Sequence, residues 1–252
     1  MKHKKHLLTL ALLASTTIST AQASLFDRGN GLIYNDATQT TWVADANLFQ
    51  TQAAGNNNLV TDIIAANNGV IIDTPNLNDT IPFSGTYTLS SVDFTISNGR
   101  MDWWGAQAYI GYLNNIGYAG YNNWALPTTP TTTPNGVFNQ SGSQMGELFY
   151  NELGGLAGTS IVHFSHNVNY NLFANVQNYE YWSGSEWTSI SSYAWYFDFD
   201  KGLQWHSEKY HQHNAWIVRP GDVIAVPEPA AFWLFSIGLM SLLGLRRRGN
   251  IG

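Results

Sequence analysis

Trp195-Tyr196-Phe197-Asp198-Phe199-Asp200-Lys201-Gly202-Leu203-Gln204-Trp205-His206 is the stretch on which the fold turns. Aromatic side chains at 195, 197 and 199 alternate with Tyr196, Asp198 and Asp200, the period of two that turns one face of a strand inward. Asp200-Lys201-Gly202 reverses the chain, and Leu203 to His206 returns beside the first strand. Tyr179 to Trp182 precedes this hairpin as another strand, and Ala215-Trp216-Ile217-Val218-Arg219-Pro220 follows it as the last. Asp198 and Asp200 fall on one strand face beside a turn, where solvated carboxylates are usual.

Upstream, Leu25 to Asp36 reads as a short strand pair turned at Gly29-Asn30-Gly31, and Thr40-Thr41-Trp42-Val43 adds a β-rich run. Two helices lie between these strands and the C-terminal ones. The first spans Trp103 to Ile116: Asp102 caps it, Gly117 ends it, and Trp104, Ala108, Tyr109, Tyr112, Leu113 and Ile116 form its apolar stripe. The second runs from about Gln144 to Leu153, with Ser143 as its cap, Glu147 in the first turn, and Met145, Leu148, Phe149 and Leu153 inward. Thr129 to Pro134 is an extended loop, because proline cannot join a ladder. Residues 50–100, dominated by Asn, Thr and Gly, read as an irregular insertion with a weak hairpin near Tyr87 to Ile96. Strands at both ends and helices between them make an α+β domain.

The ends of the chain are addresses. Met1 to His6 is basic, Leu7 to Leu13 is apolar, and Ala21-Gln22-Ala23 has the small-residue pattern of a cleavage site, so residues 1–23 read as a secretory signal peptide. At the other end a linker, 223–229, carries Pro227-Glu228-Pro229. An apolar run, 230–245, follows, and then a basic tail, 246–252, containing Arg246-Arg247-Arg248. The arginines stay cytoplasmic by the positive-inside rule, which places the body, 24–222, outside the inner membrane. Hydropathy alone leaves an ordinary anchor open as an alternative.

Removing both ends leaves five basic residues against sixteen acidic ones, a net charge near −11. Such a body has no electrostatic footprint for nucleic acid and repels polyanions unless a divalent cation bridges them. The absence of cysteine excludes thiolate catalysis, Cys metal sites and dithiol redox chemistry, and rests an exported fold on core burial alone. No cofactor motif is present.

Pro-Glu-Pro, one short apolar helix and an arginine cluster, in that order, resemble the PEP-CTERM sorting signal. The resemblance implies recognition by an exosortase-type membrane transpeptidase, which cuts near Pro227-Glu228-Pro229 and passes the protein to the cell surface or an exopolysaccharide matrix. In the body, Leu25 to Tyr34, Trp124 to Thr128, Met145 to Gly154, Tyr181 to Glu186 and Ala215 to Asp222 resemble, in order, the Lcl C-terminal domain family. That likeness spans most of 25–222 and implies a C-type-lectin-like fold: termini paired in one sheet, two helices flanking antiparallel sheets, and long loops carrying any binding site. Ala125 departs from the family's Trp-Arg-Leu-Pro-Thr pattern, so an anion contact made by that Arg is not carried over. A formylglycine-making oxidase shares related folds, but its chemistry needs cysteine.

Two groups of side chains bear on function. His206, Glu208, His211 and His213 offer imidazoles at i and i+2 that could complete a Zn²⁺, Ni²⁺ or Cu²⁺ site, a solvated His-rich loop being the plainer alternative. His163 and His166 make a weaker pair. Trp187, Tyr193, Trp205 and Tyr210 are candidates to stack on sugar rings, whose axial C–H face matches a flat apolar surface; core packing is the plainer fate of such aromatics. No Gly-x-Ser-x-Gly, His-Glu-x-x-His, P-loop or Ca²⁺-lectin motif appears in the body. The expectation is a non-catalytic exported surface or matrix protein serving adhesion or polysaccharide association, with exosortase-type enzyme, secretion machinery, transiently the membrane, and exopolysaccharide as partners. The alternative is a metal-binding protein or metal-dependent enzyme built on the His206 to His213 loop.

Overall fold

The computed structural model describes residues 25–77 and 83–223. Strands β1 (Leu25–Asp27), β2 (Leu32–Asn35) and β3 (Thr40–Val43) form an antiparallel meander, and the last strand, here β12 (Val218–Pro220), joins it in the order β1-β2-β3-β12. The N- and C-terminal segments therefore share one sheet. The β1–β2 turn explains its own sequence: Gly29, Asn30 and Gly31 all have positive φ (75°, 54° and 73°), a run that glycine and asparagine tolerate best.

After β3 come α1 (Leu48–Gly55) and α2 (Leu59–Ala66), then β4 (Val70–Ile72) paired with β5 (Thr86–Thr88), then β6 (Phe94–Thr95) and β7 (Arg100–Met101). This corrects the reading of 50–100 as an irregular insertion. Phe49, Leu59 and Ile63 are buried in the main core, and Asn67 Nδ2 donates to the Ala108 carbonyl of the next helix at 2.8 Å. Tertiary packing thus stabilises two eight-residue helices too short to persist alone.

Helix α3 (Trp103–Asn115) begins and ends as the sequence predicts, with Asp102 Oδ1 accepting from Gly105 N at 2.6 Å and Gly117 left-handed at φ 62°. Of the expected stripe, Ala108, Tyr109 and Leu113 are fully buried and Trp104 and Tyr112 partly so, and the buried face extends to residues outside it. Trp103, Ala106, Tyr109, Ile110 and Leu113 are buried, whereas Ile116 is exposed. Helix α4 (Gln144–Glu147) is capped by Ser143 and widens into a π turn over Leu148–Glu152, where Leu153 N donates to Leu148 O. Met145, Leu148, Phe149 and Leu153 are all buried, as predicted.

The second sheet has six strands in the order β10-β9-β8-β11-β7-β6, with β8 (Glu180–Glu186), β9 (Tyr193–Asp198), β10 (Leu203–Glu208) and β11 (His213–Asn214). Both faces of its centre are covered. Tyr181, Phe197 and, just beyond β9, Phe199 pack with Trp42, Trp216 and the α4 segment, while Trp182 and Ala194 pack with α1, α2 and α3. That is why β9 carries aromatics on both faces, Tyr193, Trp195, Tyr196 and Phe197, and β8 carries Tyr181 and Trp182 side by side. The solvated reading of Asp198 is corrected as well: it is buried, accepts from Asp200 N at 2.8 Å and holds Lys201 Nζ at 3.1 Å, so it builds the turn.

Two carboxyls meet one hydroxyl at the start of α3. Tyr87 Oη lies 2.9 Å from Asp93 Oδ1 and 3.2 Å from Asp102 Oδ2. One hydroxyl carries one proton, so the two contacts are both hydrogen bonds only when a carboxyl is itself protonated. Burial, with the Asp93 charge nearby, pushes Asp102 up to about 7. A carboxyl whose folded pKa exceeds its unfolded value stabilises the fold most in acid, and that contribution is lost as pH rises through the folded pKa. Glu152, also pushed up to about 7 by burial and by Glu147 and Asp36, acts in the same sense. His213, lowered to about 3 by burial and by nearby His211 and Arg100, acts oppositely as pH falls below the ordinary histidine range. Asp102→Asn reproduces the protonated acid, since its oxygen can cap Gly105 and its amide can donate to Tyr87. Its melting temperature is expected to gain on wild type between pH 5 and pH 8 by the equivalent of on the order of 2 kcal/mol. A constant offset across that range would show that Asp102 does not hold the proton.

Candidate functional site

The site is built on the β9–β10 hairpin. His206 pairs with Trp195 and Glu208 with Tyr193, so these four side chains share one face of the sheet near its free edge. Trp187 joins them because its N–H donates to Tyr193 O at 2.9 Å, which folds the chain after β8 back over the hairpin. The His206 ring is stacked on Trp187 with centroids 3.8 Å apart and planes 10° from parallel; Tyr193 meets it edge-on at 5.3 Å. One face of the half-buried Trp187 is thus taken by imidazole, and what it offers outward is the other.

The polar atoms of this cluster are unevenly satisfied. Asn135 Nδ2 stands 2.9 Å from His206 Nε2. Burial lowers the His206 pKa, so the ring is neutral near pH 7. If the ring accepts at Nε2, its proton sits on Nδ1, which is buried without a hydrogen-bond partner among the described residues. The indole N–H of Trp195 is in the same condition. Unsatisfied buried polar atoms are few in native folds and point to a ligand, a solvent molecule or a strained arrangement. Beside them Glu208 accepts from Tyr193 Oη at 3.0 Å and from Tyr210 Oη.

Of the four predicted stacking residues, Trp187, Tyr193 and Tyr210 are gathered around His206 and Glu208. Trp205 is not: adjacent to His206 in a strand, it projects from the opposite face, 40% exposed, with its ring against Gly136. Tyr210 is the most exposed of these aromatics at 57%.

The predicted metal set is not assembled. His211 N donates to Glu208 O in a turn that separates it from His206 and Glu208 on their strand, and His211 and His213 do not share a face. His211 is exposed and bonded to Ser207 Oγ; His213 is buried against Trp182, its Nδ1 3.8 Å from Glu180 Oε2. His206 is engaged with Trp187 and Asn135. Among the described residues no group of three or more His, Asp or Glu side chains is disposed to hold a metal ion. His166 bonds to the Ile161 carbonyl and stacks on Tyr170, apart from His163, which meets Phe164.

Sequence reasoning missed a buried ion cluster behind the hairpin. Lys209 Nζ, fully inaccessible, lies 2.6 Å from Asp73 Oδ2 and 2.5 Å from Glu186 Oε1, and 4.2 Å from the centre of the Trp103 ring. Trp104 Nε1 donates to Asp73 and Thr74 Oγ1 to Glu186. Burial works to raise the Asp73 carboxyl, but its contacts with Glu186, Lys209 and Trp104 prevail and hold it below the usual carboxylate range. The ammonium is consumed by two carboxylates, which suits it to holding β4, β8 and the end of β10 together.

The family model of the PEP-CTERM protein-sorting motif matches residues 225–248, which include Pro227-Glu228-Pro229 and Arg246-Arg247-Arg248. The C-terminus carries a sorting signal. The protein is thereby marked for export and exosortase-type processing. The match covers about a tenth of the chain, and no curated protein and no solved structure matches the rest. The predicted signal peptide with Ala21 and Ala23, and the apolar run 230–245, lie outside the described residues; among those described, no helix is long and apolar enough to cross a membrane.

Proposed function

We propose that this is a non-catalytic protein of the cell surface or extracellular matrix, whose body associates with uncharged polysaccharide through the Trp187–His206–Tyr193 cluster. The resemblance of 25–222 to the Lcl C-terminal domain, with a C-type-lectin-like arrangement, supports a binding role for such a domain. The observation that carries the reading is the cluster itself: the outward face of Trp187, stacked on His206, stands at a sheet edge beside Tyr193, the exposed Tyr210 and the Glu208 carboxylate. Aromatic faces take the C–H face of a pyranose, and an exposed hydroxyl and carboxylate beside them, Tyr210 and Glu208, can take its hydroxyls. The net charge near −11 disfavours acidic polymers. Delivery follows from the sorting signal at 225–248, through secretion machinery and an exosortase-type enzyme.

Affinity electrophoresis of the purified body through gels holding a neutral glucan, an amino polysaccharide or an acidic one tests this. Retardation is expected in the neutral gel, with Trp187→Ala weakening it about tenfold, which corresponds to ~1.4 kcal/mol. Free migration in every gel would leave the reading without support.

A further inference from the structure

The sorting motif leaves the domain from a built surface. Gly221, at φ 78°, turns the chain back after β12, and its N–H donates to Gln39 O at 2.8 Å. Asp222 then receives two hydrogen bonds from Arg28, at 2.8 and 2.6 Å, while Arg219 donates to the Asp222 carbonyl and to Asn123 Oδ1. Val223 is buried at 4% exposure. So the chain is fixed to the domain up to the residue before Ile224. It is fixed beside a cavity of about 480 Å³ lined by Arg28, Asn30, Tyr118, Ala119, Tyr121 and Val223.

Two left-handed turns make the rim of that cavity, Gly29-Asn30-Gly31 and the 117–120 segment. In the second, Ala119 holds φ 52°. A left-handed alanine is uncommon and costs about 1 kcal/mol or more, which marks a place where backbone shape is maintained against local preference. Arg28 is neutralised by Asp222, so the cavity presents tyrosine rings and backbone and suits one large uncharged side chain from a partner.

Distance chooses the partner. Pro227 lies four residues beyond Val223, about 14 Å even at full extension, and Ala230, where the apolar run starts, about 25 Å. An enzyme that closes around Pro227-Glu228-Pro229 cannot be accommodated in that gap without touching the domain. We infer that the face around Tyr118, Ala119 and Asn30 is a docking surface for the membrane-embedded peptidase that processes this C-terminus, so that recognition reads folded domain and motif together.

The test is the rate of precursor cleavage in the native host, followed by pulse-chase. Ala119→Lys keeps the exposed backbone position as strained as it is with alanine and obstructs the cavity mouth; Asn30→Lys does so from the other rim. Each is expected to slow cleavage about fivefold, the effect of losing one good interface contact. A flexible eight-residue Gly-Ser insertion between Val223 and Ile224, which moves the domain away, is expected to slow it as much, and to make the face substitutions silent. Purified variants that melt with wild type exclude a folding cause, and Ala119→Gly, which suits φ 52°, should be cleaved at the wild-type rate. Wild-type cleavage of both face variants overturns the inference, as do independent, multiplying effects of substitution and insertion. So does faster cleavage with added lysine, which would mean that the face serves an anionic lipid surface.

Discussion

Lys209→Met is expected to destabilise the domain by about 3 kcal/mol in urea unfolding, because it leaves the buried Asp73 carboxylate facing the partly exposed Glu186 with no counter-charge. Methionine fills nearly the same volume, so lost packing is a minor part of the effect. Asp73 and Glu186 draw their tolerance of burial from the ammonium at 2.6 and 2.5 Å and, more weakly, from the hydroxyl of Thr74 and the indole of Trp104. The electrostatic origin has a separate signature. Without Lys209 the two carboxylates bind protons more readily folded than unfolded, so the variant should recover relative to wild type as the pH is lowered from 7 to 4. Asp73→Asn combined with Glu186→Gln in the Lys209→Met background should restore much of the loss at pH 7. A deficit of the same size at pH 4 and pH 7, unrelieved by those changes, would mean that the lysine stem, not its charge, matters.

The difference between what could and could not be read from the chain follows the range of the interactions. The β9–β10 hairpin was legible because Trp195, Phe197 and Phe199 alternate locally and Gly202 takes the left-handed turn at φ 71°. Helix α3 was legible through its cap, Asp102, and its stop, Gly117. Helices α1 and α2 were not. Asn47 and Asn58 precede them without side-chain capping bonds, and α2 is held by contacts such as Asn67 with Ala108, forty-one positions away. The aromatic composition of the site was visible, but not its sidedness. Trp205 and His206 are neighbours in sequence on opposite faces, and His211 is exposed after a turn while His213 is buried, so the predicted metal set is dispersed. Lys209 had no local signal at all, since Asp73 is 136 positions away.

Trp216→Ala is expected to remove about 3–5 kcal/mol, a large part of a stability that for domains of this size is about 5–15 kcal/mol. Trp216 is fully buried and touches four rings: Trp42 at 5.3 Å, Phe173 at 5.1 Å, and Tyr181 and Phe199 each at 5.4 Å. These rings come from both sheets and the loop before β8, so one side chain joins the terminal strands to the hairpin that carries the site. Its N–H donates to the Val43 carbonyl at 2.8 Å, whereas the N–H of Trp42, equally buried, has no hydrogen-bond partner among the described residues. Phenylalanine therefore discriminates the two. Trp216→Phe loses ring area and leaves a buried carbonyl short of a donor, while Trp42→Phe loses ring area and relieves an unpaired donor. Trp216→Phe should be the more damaging by about 1 kcal/mol or more. Equal costs would show that the Val43 bond adds nothing beyond packing. The consequence for function is direct: an exported chain without cysteine has no disulfide to hold it when this junction loosens. If the proposed polysaccharide binding holds, binding by Trp216→Ala should therefore fail together with its melting transition, and binding by Trp187→Ala should weaken about tenfold while most of the melting temperature is kept.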